Sequence, residues 1–270
     1  MKIWTNTSTL DDFNSGLDFT ENKSEAYVAL LGSKPISLSE FPNLKGLFRA
    51  GVGKDNVPEL EAQERGIKVK YPSEETQSII FGETANFAIH LILKMMYKNI
   101  GEIGSWTKSK RIELNQKKVL LIGQGNIGKL VKEKLTGFTQ VITYDVLSNS
   151  PEELKGFLQE ADCISIHIPN SKENDSFIDK KKLALLKDGA VLINTARGQI
   201  VNEEDLLNEI KKKRIFAAFD VFWEEPYFGK LADYHPDQFY MTPHVASTCQ
   251  GFLEGCRKDL DLLIKEIHDE

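Results

Sequence analysis

Short apolar runs alternate along the chain with segments whose apolar positions recur at helical period. That alternation predicts parallel strands joined by crossover helices. In the first third, strands are predicted at Lys2–Trp4, Ala26–Leu31, Leu47–Arg49 and Ile67–Lys70, with a helix over Asn56–Arg65 closed by Gly66. In the middle, strands are predicted at Val119–Ile122, Val141–Tyr144, Cys163–His167, Ala190–Asn194 and Ala217–Asp220. Pro151–Glu160 and Asp179–Leu186 supply connecting helices, and Lys211-Lys212-Lys213-Arg214 reads as the solvated end of another. A long, almost wholly apolar helix is predicted from Glu83 to Ile100. The tail from Gln250 to Glu270 places Phe252, Leu253, Cys256, Leu260, Leu263, Ile264 and Ile267 on one helical stripe.

The pattern implies an α/β chain with two doubly wound parallel-sheet domains. One covers residues 1–82 and is completed by the tail helix, 248–270; the other covers 83–247. The tail is expected to cross back onto the first domain, which gives two linkers and a hinged cleft. Ligands of such sheets bind outside the carboxyl ends of the strands.

Gly123-Gln124-Gly125-Asn126-Ile127-Gly128 lies between the strand ending at Ile122 and a helix over Lys129–Leu135, and the next strand ends in Asp145. Strand, glycine turn, helix and acid in that order form the dinucleotide-binding fingerprint. One glycine permits the tight turn, one lets a pyrophosphate approach the backbone, and one lets helix and strand pack closely. The helix start offers unpaired N–H groups and a positive dipole end to phosphates. An acid at Asp145, with no Arg in Val146–Ser150, favours the ribose hydroxyls of NAD over a 2′-phosphate. The second domain is therefore expected to be a Rossmann NAD-binding domain.

The remaining composition narrows the partners. A chain of 270 residues with 41% hydrophobic residues suits two ordered domains, and a net charge of −6 argues against nucleic acid or an anionic membrane. The three cysteines, Cys163, Cys249 and Cys256, form no CxxC pair, so a reduced cytoplasmic compartment and no metal centre are expected. The N-terminus lacks a signal-peptide core, and the stretch Phe87–Met96, broken by His90 and Lys94, is too short to cross a bilayer.

NAD implies hydride transfer, and a carbonyl being reduced needs a proton donor and an electrostatic handle. Arg197, Glu225 and His244 each stand just past a candidate strand. Taken singly, a surface arginine, a Glu-Pro turn and a structural histidine are the simpler readings.

Taken together they resemble the D-isomer-specific 2-hydroxyacid dehydrogenases. The resemblance runs over nearly the whole chain. It includes Arg49-Ala50-Gly51-Val52-Gly53-Lys54-Asp55-Asn56, Gly82-Glu83, the glycine fingerprint and His167-Ile168-Pro169. It continues through Asn194-Thr195-Ala196-Arg197-Gly198, Asp220-Val221-Phe222 with Glu225-Pro226, and Thr242-Pro243-His244. The resemblance implies a flavodoxin-like substrate domain beside the Rossmann domain. It implies that Arg197 binds the 2-oxo acid, that His244 is the acid–base, and that Glu225 fixes the tautomer of His244 and stabilises its imidazolium. Backbone N–H groups of Val52 and Gly53 would hold the substrate carboxylate, with Lys54 beside them. Gly123, Gly125, Asn126, Ile127, Gly128, Asp145, His167, Pro169, Thr195, Ala196 and Asp220 would line the cofactor. A homodimer is also implied, with the long helix and the Trp106 segment as arms.

The chain departs from the family pattern at several points. Asn126 stands where many relatives carry Arg, Asn170-Ser171 replaces leucine-threonine, and Lys54 replaces an apolar or small residue. Lys54 is either a reader of a second acidic or phosphate group or a solvated loop lysine. The stretch from Asp145 to Asp162 is shorter than in typical relatives, which would trim a surface loop. The loop around Gly51 looks most like that of phosphoglycerate dehydrogenases, which makes phosphoglycerate and 3-phosphohydroxypyruvate candidate substrates. A different class stays open: an NAD(H)-sensing, corepressor-like protein without turnover.

Overall fold

The computed structural model describes residues 1–269. The chain forms two compact units, one of Met1–Ile80 with the segment from Ser247 onward, the other of Phe81–Ala246.

The first unit is built on β1 (Lys2–Thr5), β2 (Asp18–Phe19), β3 (Val28–Leu31), β4 (Gly46–Arg49) and β5 (Lys68–Lys70), all parallel, in the order β2-β1-β3-β4-β5. Helix α1 (Glu59–Glu64) precedes β5 and is shorter than the predicted Asn56–Arg65. Pro58 at its N-cap position explains the late start, because the residue before a proline is biased away from helix.

Helix α2 (Glu74–Met96) begins nine residues before the predicted Glu83 and stops before Ile100. Its first turns belong to the first unit. The early start has a local cap and a distant one: Ser73 Oγ accepts from Thr76 N at 3.4 Å, and Asp259, on another helix, accepts from Ser73 N at 2.8 Å and from Thr76 Oγ1 at 3.0 Å. By length and composition α2 is apolar enough to cross a bilayer, contrary to the reading from Phe87–Met96. Its Ala85, Ala88, Leu91, Ile92 and Met95 are instead buried against the second unit's sheet, as in a core helix.

After a small hairpin of β6 (Gly101–Glu102) and β7 (Thr107–Lys108), the second unit alternates strand and helix. Its elements are β8 (Lys118–Ile122), α3 (Asn126–Leu135), β9 (Gln140–Tyr144), α4 (Pro151–Glu160), β10 (Cys163–Ile166), α5 (Lys180–Leu183), β11 (Val191–Asn194), α6 (Glu203–Lys211), β12 (Phe216–Phe219) and β13 (Phe239–Met241). The predicted Asp179–Leu186 helix contracts to α5, with Asp179 as its cap. Helix α4 has its predicted bounds because Ser150 and Glu153 form a reciprocal capping box with Pro151 in the first turn. The strands are buried on both faces. Leu120, Ile122, Ile164, Ile166 and Leu192 pack to one side, and Val119, Leu121, Cys163, Val191 and Ile193 to the other.

All six strands are parallel, in the order β13-β12-β11-β10-β8-β9. Common dinucleotide-binding sheets carry a further strand outside the second. Here the short stretch after Asp145 leads directly into α4, so β9 is the sheet edge. The shortening therefore bears on sheet order, beyond the trimming of a surface loop.

Helix α7 (Gln250–His268) completes the first unit. Phe252, Cys256, Leu260 and Leu263 are buried with Ile3, Val28, Leu30 and Phe48, and Leu253, Ile264 and Ile267 pack at the margin. Glu270, at the end of the predicted helix, lies outside the described residues.

Candidate active site

Register explains why the site residues are so far apart in sequence. Tyr144, Ile122, Ile166, Asn194, Phe219 and Met241 sit level across the six-stranded sheet. The residue after each is therefore in one rank at the carboxyl edge: Asp145, Gly123, His167, Thr195, Asp220 and Thr242.

The glycine turn occupies the middle of this edge. Gly123 has φ +100°, which only glycine adopts readily, and a Cβ there would run into the His167 carbonyl. A Cβ at Gly128 would overlap the Gly123 carbonyl oxygen, so this glycine lets α3 close onto β8. Gly125 is the N-cap of α3, makes no side-chain cap, and has open space where its Cβ would be. Backbone N–H groups at this helix start are therefore accessible to an anion. Asp145 Oδ2 accepts from Gln124 N at 2.8 Å and Oδ1 from Leu147 N at 3.0 Å, which joins the acid to the glycine turn. Beside them, His167 Nε2 and Thr195 Oγ1 are buried without a partner among the described residues. Burial pushes His167 down to about 4, so its ring is neutral near pH 7. Open space at Gly125, uncapped helical N–H groups and two orphaned polar atoms on the same edge fit a bound dinucleotide.

Arg197 follows β11 on a loop organised by Asn194. This fully buried asparagine accepts from Ala196 N at 3.0 Å and donates to the Arg197 carbonyl at 2.8 Å. Arg197 Nη1 also donates to the Ala196 carbonyl at 2.8 Å. Glu225 Oε2 lies 2.8 Å from His244 Nδ1, and Oε1 accepts from Phe222 N at 3.1 Å. Burial alone would raise the Glu225 carboxyl. The His244 hydrogen bond and charge, the Phe222 N–H and the Arg197 charge outweigh it and hold the group below its ordinary value. Arg197, Glu225 and His244 thus share one electrostatic neighbourhood.

His244 has φ 56°, a left-handed conformation uncommon outside glycine. Asp220 surrounds it. Asp220 Oδ1 accepts from Thr242 Oγ1 at 2.6 Å and Val245 N at 2.9 Å, and Oδ2 from Ala246 N at 2.9 Å. Asp220 is fully buried, and through these bonds it shapes the turn that carries His244. Sequence reasoning gave Asn194 and Thr242 no role. Their signal was weak, a polar residue ending or following an apolar strand.

In the first unit, Val52 and Gly53 lie on the loop after β4, next to Gly51 with φ +142°. Arg49 is buried beneath it, with Nε donating to Asn56 Oδ1 at 3.2 Å and Nη1 to the Ala50 carbonyl. Asn56 in turn donates to the Gly32 and Lys34 carbonyls at 2.8 and 2.9 Å. The loop is pinned from below and its outer backbone is left half-buried. Lys54 ends it, with an exposed side chain directed to Glu59 and Tyr71.

Residues 92–246 match the model of the D-isomer specific 2-hydroxyacid dehydrogenase NAD binding domain. A glyoxylate reductase of Thermococcus litoralis is 30% identical over 243 residues, 81% of this chain and 72% of that protein. A hydroxypyruvate reductase of Thermotoga maritima is 33% identical over 229 residues, 77% of this chain and 73% of that protein. The crystal structure of D-lactate dehydrogenase from Aquifex aeolicus, complexed with NAD and lactic acid, shares the fold with TM-score 0.80 at 22% identity, covering 100% of this chain and 96% of that one. The chain belongs to the NAD-dependent D-isomer specific 2-hydroxyacid dehydrogenase family.

Proposed function

We propose that the protein reduces a small 2-oxo acid to the corresponding 2-hydroxy acid, or catalyses the reverse oxidation. The observation that carries this reading is the 2.8 Å His244–Glu225 pair within the field of Arg197. With Nδ1 facing Glu225, His244 Nε2 is the atom that passes a proton to the carbonyl oxygen in reduction and recovers it in oxidation. Acid–base catalysis of this kind contributes roughly 10²–10⁴ in rate. Glu225 stays ionised and steadies the imidazolium. Arg197 holds the acid through its planar fork, which matches a carboxylate as a lysine does not. The Val52 and Gly53 N–H groups are the carboxylate donors of the first unit.

Bound NADH supplies the hydride. Around it, N–H groups of Asn126, Ile127 and the neighbouring glycines meet the pyrophosphate, and Asp145 meets the ribose hydroxyls. His167, Pro169, Thr195 and Ala196 line the rest. Asn126 removes the cation that an Arg at this position would bring to the pyrophosphate. The names of the relatives support glyoxylate and hydroxypyruvate as substrates, while the loop around Gly51 supports 3-phosphohydroxypyruvate. A cytoplasmic homodimer completes the reading. It is supported by Ile103 and Trp106, 81% and 78% exposed on the hairpin after α2.

The test is NADH oxidation, followed by absorbance, on glyoxylate, pyruvate, hydroxypyruvate, 3-phosphohydroxypyruvate and branched 2-oxo acids. Turnover that disappears in Arg197→Ala supports the dehydrogenase. NADH binding without turnover on any of them would sink this reading in favour of a sensor.

A further inference from the structure

The carboxyl edge of the first unit's sheet holds a charged group with no part in the chemistry above. Lys54 Nζ is 3.9 Å from Glu59 Oε1 and 4.8 Å from the centre of the Tyr71 ring. Tyr71, the first residue after β5, donates its hydroxyl to that same Glu59 oxygen at 2.6 Å. One carboxylate oxygen thus takes an ammonium and a phenol, while the ammonium also rests over the phenol's ring. Burial first, then Glu59, pushes the Tyr71 phenol well above its ordinary range, so it remains a proton donor to Glu59. The cluster carries one positive and one negative charge. It adjoins Val52 and Gly53 through Lys54 itself.

We infer that Lys54, Glu59 and Tyr71 form a charge-compensated rim that selects the tail of the 2-oxo acid, admitting a hydrogen or hydroxymethyl tail and disfavouring a phosphorylated one. The inference rests on Val52 and Gly53 holding the substrate carboxylate. A phosphate drawn to Lys54 would also meet Glu59, its like-charged neighbour. Glu59 cannot swing aside without giving up its hydrogen bond to Tyr71. An uncharged tail meets no such repulsion, and a hydroxyl can bond to either charged group. Specificity built by placing a repulsive charge against the unwanted ligand is a common device.

The experiment measures binding, so it is independent of turnover. Glycerate and 3-phosphoglycerate are titrated calorimetrically into the NADH-loaded protein, and the ratio of their dissociation constants is compared among variants. The wild type is expected to bind glycerate more tightly. Glu59→Gln should shift the ratio roughly tenfold toward 3-phosphoglycerate, about 1.4 kcal/mol, and the shift should vanish in the Lys54→Met/Glu59→Gln double variant. Glu61→Gln removes the same charge from the same helix. Glu61 pairs with Arg65 rather than Lys54, and its variant should leave the ratio in place. The inference is overturned by an unchanged ratio in Glu59→Gln, by an equal shift in Glu61→Gln, or by a wild type that prefers 3-phosphoglycerate and loses that preference in Lys54→Met. Failure to bind either acid would overturn the Val52–Gly53 assignment and the rim together. Failure to turn over any 2-oxo acid while the binding ratio behaves as expected would count against the dehydrogenase reading alone.

Discussion

Gly198 lies against the carbonyl of Phe222 so closely that a Cβ on Gly198 would overlap that group and stand 2.5 Å from Trp223 N. The loop carrying Arg197 therefore rests directly on the loop carrying Glu225, whose shape the Phe222 N–H helps to set. Adding one methyl at Gly198 must separate the two. Gly198→Ala is expected to cost about 1–3 kcal/mol through overpacking and to lower kcat/KM at least tenfold at temperatures where the variant is fully folded. Calorimetric melting and steady-state kinetics on the best 2-oxo acid check this. Wild-type kinetics in the variant would show that the two loops are not coupled.

Asp220→Asn tests the turn that holds His244. Asparagine can still accept from Thr242 and Val245, but its amide would face the Ala246 N–H donor to donor. Leaving a buried donor unsatisfied costs about 1–3 kcal/mol. The variant should melt at a lower temperature and lose turnover because His244 no longer keeps its left-handed geometry. NADH affinity, read by fluorescence titration, should change less than kcat does. A selective loss of NADH binding with kcat intact would show that Asp220 serves the cofactor rather than the His244 turn.

Glu225 gives a pH signature with a definite sign. Its folded carboxyl lies below the ordinary value of 4.5, so its stabilising contribution is complete above that pH and is lost as pH falls through the depressed folded value. The melting-temperature difference between wild type and Glu225→Gln should shrink as pH falls below the ordinary carboxylate range. A difference that persists undiminished well below that range would contradict the assignment.

Two glycines of the same turn should fail in different ways. Gly125 has open space at its Cβ position, so Gly125→Ala should keep wild-type stability to within about 0.5 kcal/mol, while NADH binding weakens at least tenfold as the methyl enters the path of the pyrophosphate. Gly128→Ala forces α3 away from the Gly123 carbonyl and should lose stability and NADH affinity together. Equal melting temperatures for the two variants would remove the distinction.

The strands from Val119 to Phe219 were legible because parallel strands buried on both faces read as unbroken apolar runs. Arg197, Glu225 and His244 were legible as residues just past such strands. Less was visible where distant partners decide the structure. Strand β2 consists of two exposed residues, and pairing with β1 defines it. The first turns of α2 are polar, and the local cap from Ser73 is reinforced by Asp259, a residue far along the chain. The demands on Asp220 and Asn194 come from backbone N–H groups of neighbouring loops, and no periodicity in the sequence records those.

Asp259 and the apolar stripe of α7 also fix an order of events during synthesis. Residues 81–246 are contiguous and can assemble as soon as they leave the ribosome. The first unit's sheet has its core closed by Phe252, Leu260 and Leu263. Of the two units, the one whose synthesis starts first is therefore the last whose core can close.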